Sequence, residues 1–256
     1  MIFDSYDMTK SRQPGAASVM QKRMQEGKTI LLSERLQAVV RMVPQINTVA
    51  DIGCDHGKVA AWLLKNGRAK FAVCGDISAP SLEKARRLTA SMGLQNAVSL
   101  RVGSGFDVLS RGEADAAVIA GMGGELMTSI LEHGKEKLPD TLVLACHRDA
   151  DVLRGWLSLN GFAIDDEDLV HEKGHYYPVI RAIRRQSRPL TPAETEFGPV
   201  LLAKKPRHIK NYVAQRIKQT EKIRGSLLHT EAVKKETLLR DIDARLQLYN
   251  EVNKCL

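Results

Sequence analysis

Between residues 48 and 183 the chain alternates short apolar segments with amphipathic ones, and that alternation constrains its fold more than any other feature. The apolar runs at 48–53, 71–77, 98–102, 114–120 and 141–145 have the length and composition of strands buried on both faces. Helical periodicity lies between them, over 60–65, from Ser78 through Leu82, Ala85 and Leu88, over 125–133 and over 151–159. Ser78 followed by Pro80 is a helix start, and Asn160-Gly161 is a helix stop. A leading helix carries Leu32, Leu36, Val39, Val40 and Val43 on one stripe and ends at Pro44. Two last strands, 163–170 and 176–183, flank Gly174 and are expected to form an antiparallel edge. The order predicts an α/β fold, a Rossmann-like domain with a mostly parallel sheet.

Three segments differ in composition. Residues 1–27 are polar and lack periodicity, which predicts a flexible N-terminal extension. Residues 28–189 hold the alternating pattern. Residues 190–256 carry 13 Lys/Arg against 8 Asp/Glu, most of the chain's net charge of +8. Pro189, Pro192, Pro199 and Pro206 suggest a connector. Beyond it, one stripe of Val213, Ile217, Thr220, Ile223 and Leu227 and a second of Leu239, Ile242, Leu246 and Tyr249 predict a coiled-coil-like helical hairpin. Its bend is expected near Gly225 and His229-Thr230.

No apolar run reaches the roughly 18 residues of a membrane span, and no secretory leader is recognisable, so a cytoplasmic location is expected. Cys54, Cys74, Cys146 and Cys255 show no C-x-x-C spacing, which argues against structural zinc and for free thiols. A monomer without metal, whose basic tail suits a polyanion, is the expected state. His171-Glu172-Lys173-Gly174-His175 has the letters of a zinc-hydrolase motif. That motif works on a helix, and Gly174 before a β-like run predicts a turn instead.

The strongest local signal is Asp51-Ile52-Gly53-Cys54-Asp55-His56-Gly57. Two glycines permit a tight turn between a strand and a helix N-terminus, where open α/β sheets bind ligands. A dinucleotide site wants G-x-G-x-x-G around a pyrophosphate. Asp55 inside this turn would repel a pyrophosphate and attract an ammonium or sulfonium, which favours S-adenosylmethionine over NAD. Asp76 with Ile77 ends the second strand, near the spacing of a ribose-binding carboxylate. Gly103-Ser104-Gly105 follows the third strand and suits close packing of an adenine ring. Gly121-Met122-Gly123-Gly124 follows the fourth, where glycines let backbone approach a ligand closely. His147, in Cys146-His147-Arg148 at the expected substrate rim, is a candidate proton acceptor. Arg184, Arg185 and Arg188, with Lys204, Lys205, Arg207 and Lys210, are candidate phosphate contacts to RNA.

With these residues the chain resembles the bacterial TrmK family, the tRNA (adenine-22-N1)-methyltransferases. The resemblance rests on Leu32-Ser33-Glu34-Arg35-Leu36, the Asp51-to-His56 turn, Gly121-Met122-Gly123-Gly124, Leu153-Arg154-Gly155-Trp156-Leu157 with Asn160-Gly161-Phe162, Gly174 with Tyr177, and Glu196-Phe197-Gly198-Pro199. It implies a class I methyltransferase domain that methylates N1 of an adenine in tRNA, with the tail helping to hold tRNA. Asp51, Gly53, Cys54, Asp55, His56, Gly57 and Asp76 would then bind S-adenosylmethionine. Gly121 to Gly124 would face cofactor and target base. Ser104 and Cys146-His147-Arg148 depart from the family pattern, which has Asp at the first place and Gln-Pro-Asn at the second. Two other readings fit the residues: methylation of a small molecule or protein, and a non-catalytic RNA-binding relative.

Overall fold

The computed structural model describes residues 29–229 and 235–256, so the expected extension at 1–27 and Thr230 lie outside the described residues. The chain divides into two units, residues 1–31 and Leu32–Leu256, and the sheet, the site and the tail all belong to the second.

The leading helix is α1 (Glu34–Met42), capped by Ser33, whose hydroxyl accepts the Leu36 N–H. Five strands then follow as the periodicity predicts: β1 (Thr48–Ile52), β2 (Phe71–Asp76), β3 (Val98–Val102), β4 (Ala116–Met122) and β5 (Thr141–Cys146). The helices α2 (Lys58–Lys65), α3 (Ala79–Ala90), α4 (Gly124–His133) and α5 (Ala150–Leu159) alternate with them. A hairpin of β6 (Phe162–Glu172) and β7 (His175–Arg184) closes the sheet. Strand order is β3-β2-β1-β4-β5-β7-β6, with β7 antiparallel to both neighbours and the rest parallel. Order reverses between β1 and β4, so the crevice outside their C-terminal ends is where such a sheet takes ligands. Val49, Ala50, Val118, Ile119, Leu142, Val143 and Leu144 are buried, as strands covered on both faces require.

The zinc-like segment is the β6–β7 turn. Lys173 and Gly174 take φ of +51° and +79°, two successive left-handed residues that reverse a hairpin. The helix needed by a metalloprotease motif is therefore not what this segment forms.

The tail departs from expectation at two places. The proline-rich connector holds two short helices, α6 (Pro192–Phe197) and α7 (Pro199–Lys204). Pro192 and Pro199 stand in their first turns, where a missing N–H costs nothing, and Thr191 and Glu194 form a reciprocal cap on α6. The second difference is Gly225, which lies inside α8 (Ile209–Leu228) and does not bend it; the helix ends at His229. The last helix, α9 (Lys235–Cys255), packs antiparallel on α8, with Arg224 paired to Asp243 and Arg216 bonded to Tyr249.

A core of Leu169, Phe197, Leu201, Ile209, Tyr212, Val213, Tyr249 and Val252 joins β6 to α6, α7, α8 and α9. The change of composition near residue 190 is thus not a change of packing. The tail is held against the β6 edge of the sheet.

Candidate active site

The turn after β1 is shaped by backbone conformation. Gly53, Asp55 and Gly57 take φ of +69°, +46° and +63°. Aspartate tolerates that region better than most residues, and the Gly53 and Cys54 N–H groups both donate to the Gly75 carbonyl. Gly57 occupies the N-cap of α2 and has no side chain to cap it. Asp51 supplies the cap from β1: its carboxylate accepts the Ala60 N–H at 3.3 Å. Burial pushes the Asp51 carboxyl up to about 7, against the lowering effect of the Ala60 N–H, and the negative charge of Asp76 adds to the rise.

Asp55 projects outward, its side chain 65% exposed, with the His56 ring 3.5 Å away. Its backbone N–H donates to Asp76 Oδ2 at 3.0 Å, and the Ser78 N–H donates to Asp76 Oδ1 at 2.9 Å. Asp76 is thereby fixed at the end of β2 with lone pairs remaining on both oxygens.

One cavity gathers Arg35, Asp51, Gly53, Cys54, Asp55, His56, Gly121 and Met122. A β-bulge in β4 makes part of it. Ala120 pairs with Ala145 and Met122 with Cys146, so Gly121 is the extra residue, at φ +91°. Bulges re-aim the next side chain, and here Met122 lies over Gly53 so closely that a Cβ there would overlap its methyl group. Ile77, Gly103 and Ser104 stand outside this cavity, along the ends of β2 and β3. Ile77 and Val102 are exposed apolar side chains there, at 76% and 64%.

The four-residue glycine segment serves a different purpose from the one expected at two of its positions. The Gly124 N–H donates to the Arg148 carbonyl, and a Cβ on Gly124 would overlap the Asp149 carbonyl. A Cβ on Gly123 would meet the Arg148 side chain at 2.9 Å. These glycines admit the β5–α5 loop of this chain, where Asp149 itself sits at φ +56°. Gly103 and Gly105 likewise make room for Val108 and Ile130. Gly121 and Met122 are the members of the segment that line the cavity.

The His147 side chain is exposed and absent from the lining of this cavity, while its backbone N–H donates to the Met122 carbonyl at 3.3 Å, so it stands beyond the wall that Met122 and the β5–α5 loop form. It lines a second, polar groove with Arg148, Tyr176, Gln215 and Arg216.

Arg35 lines the cavity too, although the Leu32–Leu36 motif that contains it assigns it no role in the site. It comes from the first turn of α1, its Cζ 5.1 Å from the Tyr177 ring centroid and its Nη1 3.4 Å from where a Gly121 Cβ would stand. It makes no ion pair among the described residues, although it faces a cavity. Its signal in the sequence was helical phase: Leu32, Val39 and Val40 take the buried stripe and leave Arg35 and Leu36 at its margin, facing the cavity.

Of the seven cations expected to meet RNA, four are engaged in the fold. Arg184 pairs with Asp140 and lies 4.7 Å from the Phe162 ring centroid; Arg188 pairs with Glu194; Lys204 pairs with Asp166; Lys205 donates to the Cys255 carbonyl. Because β7 runs against β5, Arg184 and Arg185 fall at the N-terminal end of the parallel strands, away from the cavity. Arg207 and Lys210 make no ion pair among the described residues and flank His208, whose ring is 5.5 Å from His171 near the hairpin tip.

The family described as TrmK, tRNA (adenine(22)-N(1))-methyltransferase, matches residues 49–247. A Bacillus subtilis tRNA (adenine(22)-N(1))-methyltransferase is 39% identical over 153 residues, 59% of this chain and 64% of that protein, just under two thirds of its length. The crystal structure of the B. subtilis m1A22 tRNA methyltransferase TrmK superposes with a TM-score of 0.82 at 31% identity, over 88% of this chain and all of that one. A Streptococcus pneumoniae protein crystallised with S-adenosyl-L-methionine superposes with a TM-score of 0.77 at 26% identity, over 87% of this chain and all of that one.

Proposed function

The chain belongs to the TrmK family of tRNA (adenine(22)-N(1))-methyltransferases, and we propose that it transfers a methyl group from S-adenosylmethionine to N1 of adenine 22 in tRNA. The observation that carries the proposal is the set of groups around the β1 turn: an outward carboxylate at Asp55, a buried one at Asp51 and a guanidinium at Arg35 that makes no ion pair among the described residues.

That set fits an amino-acid zwitterion with a neighbouring cation. Asp55 and Asp51 suit the ammonium and sulfonium, and Arg35 suits the carboxylate. Asp76, pinned by two backbone N–H groups at the end of β2, suits ribose hydroxyls, and exposed Ile77 offers an apolar surface to the adenine ring. The carboxylates of Asp51 and Asp55 at this turn would repel a pyrophosphate. When bound, S-adenosylmethionine supplies a methyl group on a positively charged sulfur, which a nitrogen lone pair can displace.

N1 of adenine already has such a lone pair, so no residue must remove a proton before transfer. The work left to the chain is orientation. Gly121 and Met122, thrown toward the β1 turn by the bulge, are the residues beside which the base would lie, while His147 stands beyond the wall they form and is not needed as a base. The base must leave its stack to reach such a cavity. Arg207 and Lys210, rather than Arg184 and Arg188, are the cations of the expected set that suit phosphate contacts, together with Lys218 and Lys222 of α8.

The test is transfer of labelled methyl to a tRNA transcript with adenine at position 22 and to the same transcript with guanine there. Label in the first alone is expected. Equal label in both, or none in either, would remove the proposed target.

A further inference from the structure

The second groove, on the far side of the Met122 wall, has its own chemistry. Its floor is the β5–α5 loop with His147 and Arg148, its end wall is His175 and Tyr176 from β7, and its roof is α8. Gln215 and Gln219 stand one turn apart on α8 and line the groove together. Their amides have no hydrogen-bond partner among the described residues.

The charges around the groove are largely matched. Arg148 lies 3.3 Å from Asp149, and Arg216 is bonded to Glu196 and to Tyr249. Asp151 also lines the groove and makes no ion pair among the described residues; beside it the open groups are two carboxamides, each with donor and acceptor, and two imidazoles. Tyr176 adds a half-buried ring, tilted against His171 at 4.6 Å and against Tyr212 at 5.5 Å. Carboxamides and a ring face are the groups that read an unstacked nucleobase, the first through paired donor and acceptor, the second through stacking. A phosphate would meet the carboxylates of Asp149 and Asp151 here, with Arg148 shared with the first and Arg216 held by Glu196 with its Nε open.

The groove and the cofactor cavity share no lining residue, yet they touch. The His147 N–H meets the Met122 carbonyl, and Arg148 packs on Gly123. A strand of RNA whose base lies against Met122 would bring its next nucleotide to the groove.

We propose that this groove is a nucleobase subsite, in which Gln215 and Gln219 hold an unstacked base of the substrate tRNA next to the methylated one. The proposal rests on the tRNA reading above. It also gives the tail a specific role, because α8 carries the reading groups and the shared core with β6 sets their distance from the β5–α5 loop.

The test measures kcat and KM for tRNA, and separately the Kd of S-adenosylmethionine, in the wild-type protein and a Gln215→Ala/Gln219→Ala double variant. Substrates are the intact transcript and transcripts with an abasic site on either side of adenine 22. Neither side chain is buried, and an unchanged cofactor Kd reports an intact fold. The expected result is a KM raised by about tenfold or more in the double variant, with kcat and cofactor Kd little changed. One abasic transcript should show the same defect with the wild-type protein and no further defect with the variant. Wild-type activity with identical KM values for both proteins would overturn the subsite and leave the tRNA reading intact. Additive defects of the variant and each abasic transcript would do the same. No transfer to intact tRNA by the wild-type protein would overturn both.

Discussion

Arg154 and Glu167 meet at 2.9 Å with neither side chain exposed. The other Glu167 oxygen accepts the Val200 and Leu201 N–H groups at the start of α7, and Arg154 donates to the Thr195 and Glu196 carbonyls of α6. One ion pair thus ties α5 and β6 to both short helices that carry the tail. Gly198 must be glycine beside it, since φ is +90° and a Cβ would overlap the Glu167 carboxylate.

Removing one partner of such a pair leaves a charge buried alone, at a cost of about 3–5 kcal/mol. Glu167→Gln is expected to lower the melting temperature by on the order of 10 °C. Asp243→Asn breaks the half-exposed pair with Arg224 and should cost less than about 1 kcal/mol. Thermal melts of the two variants check this, and equal shifts would refute the difference in burial as the cause.

Arg35→Ala is expected to weaken S-adenosylmethionine binding about tenfold or more, the worth of a hydrogen bond to a charged group, with an unchanged melting temperature. Calorimetric titration decides it. Normal affinity would place Arg35 outside the cofactor site and return it to the cation–π contact with Tyr177.

Gly124→Ala drives a methyl group into the Asp149 carbonyl, so the β5–α5 loop must shift. Loss of tRNA methylation is expected, with a smaller loss of cofactor affinity, because Gly53, Asp55 and Arg35 lie on other elements. Retained turnover would mean that the loop is not part of the substrate side.

Asp51 gives a pH dependence with a definite sign. Its carboxyl, raised by burial to about 7, is largely protonated in the folded chain at pH values where an unfolded chain would ionise it. Its contribution to stability is therefore full below about pH 4 and is lost as pH rises through about 7. A cationic ligand favours the ionised form, so cofactor affinity should rise as pH increases through the same range, with release of a proton near neutrality. Titrations in buffers of different ionisation enthalpy measure that proton. Binding without proton release, and flat affinity between about pH 5.5 and 8, would contradict the coupling.

Much of the fold was legible in the sequence because its signals are local. Every strand of the sheet follows from apolar runs bounded by turn residues, and Ser78 with Pro80 starts α3 at the residue expected. The turn chemistry of Gly53 and Gly57 was equally plain. What escaped depends on distant partners. Glu167 reads as one polar position in a strand, and nothing in its neighbourhood announces Arg154 across the sheet edge. Arg184 and Lys204 look free in a basic run, while Asp140 and Asp166 face them only once the strands pair. Gly123 and Gly124 read as a ligand-binding loop because the loop that fills their space, at Arg148 and Asp149, is far along the chain. Gly225 looked like a bend, yet a single glycine costs a helix only about 1 kcal/mol, and packing of α8 on α9 outweighs it.

Methyl transfer to adenine N1 is read by nucleoside analysis of unmodified total tRNA after incubation with labelled S-adenosylmethionine. Wild-type protein should give a labelled 1-methyladenosine peak. Asp55→Asn, which keeps a residue tolerant of positive φ and removes only the charge, should reduce the peak strongly. Label in another nucleoside, or no label in tRNA from a protein that binds the cofactor, would contradict the account.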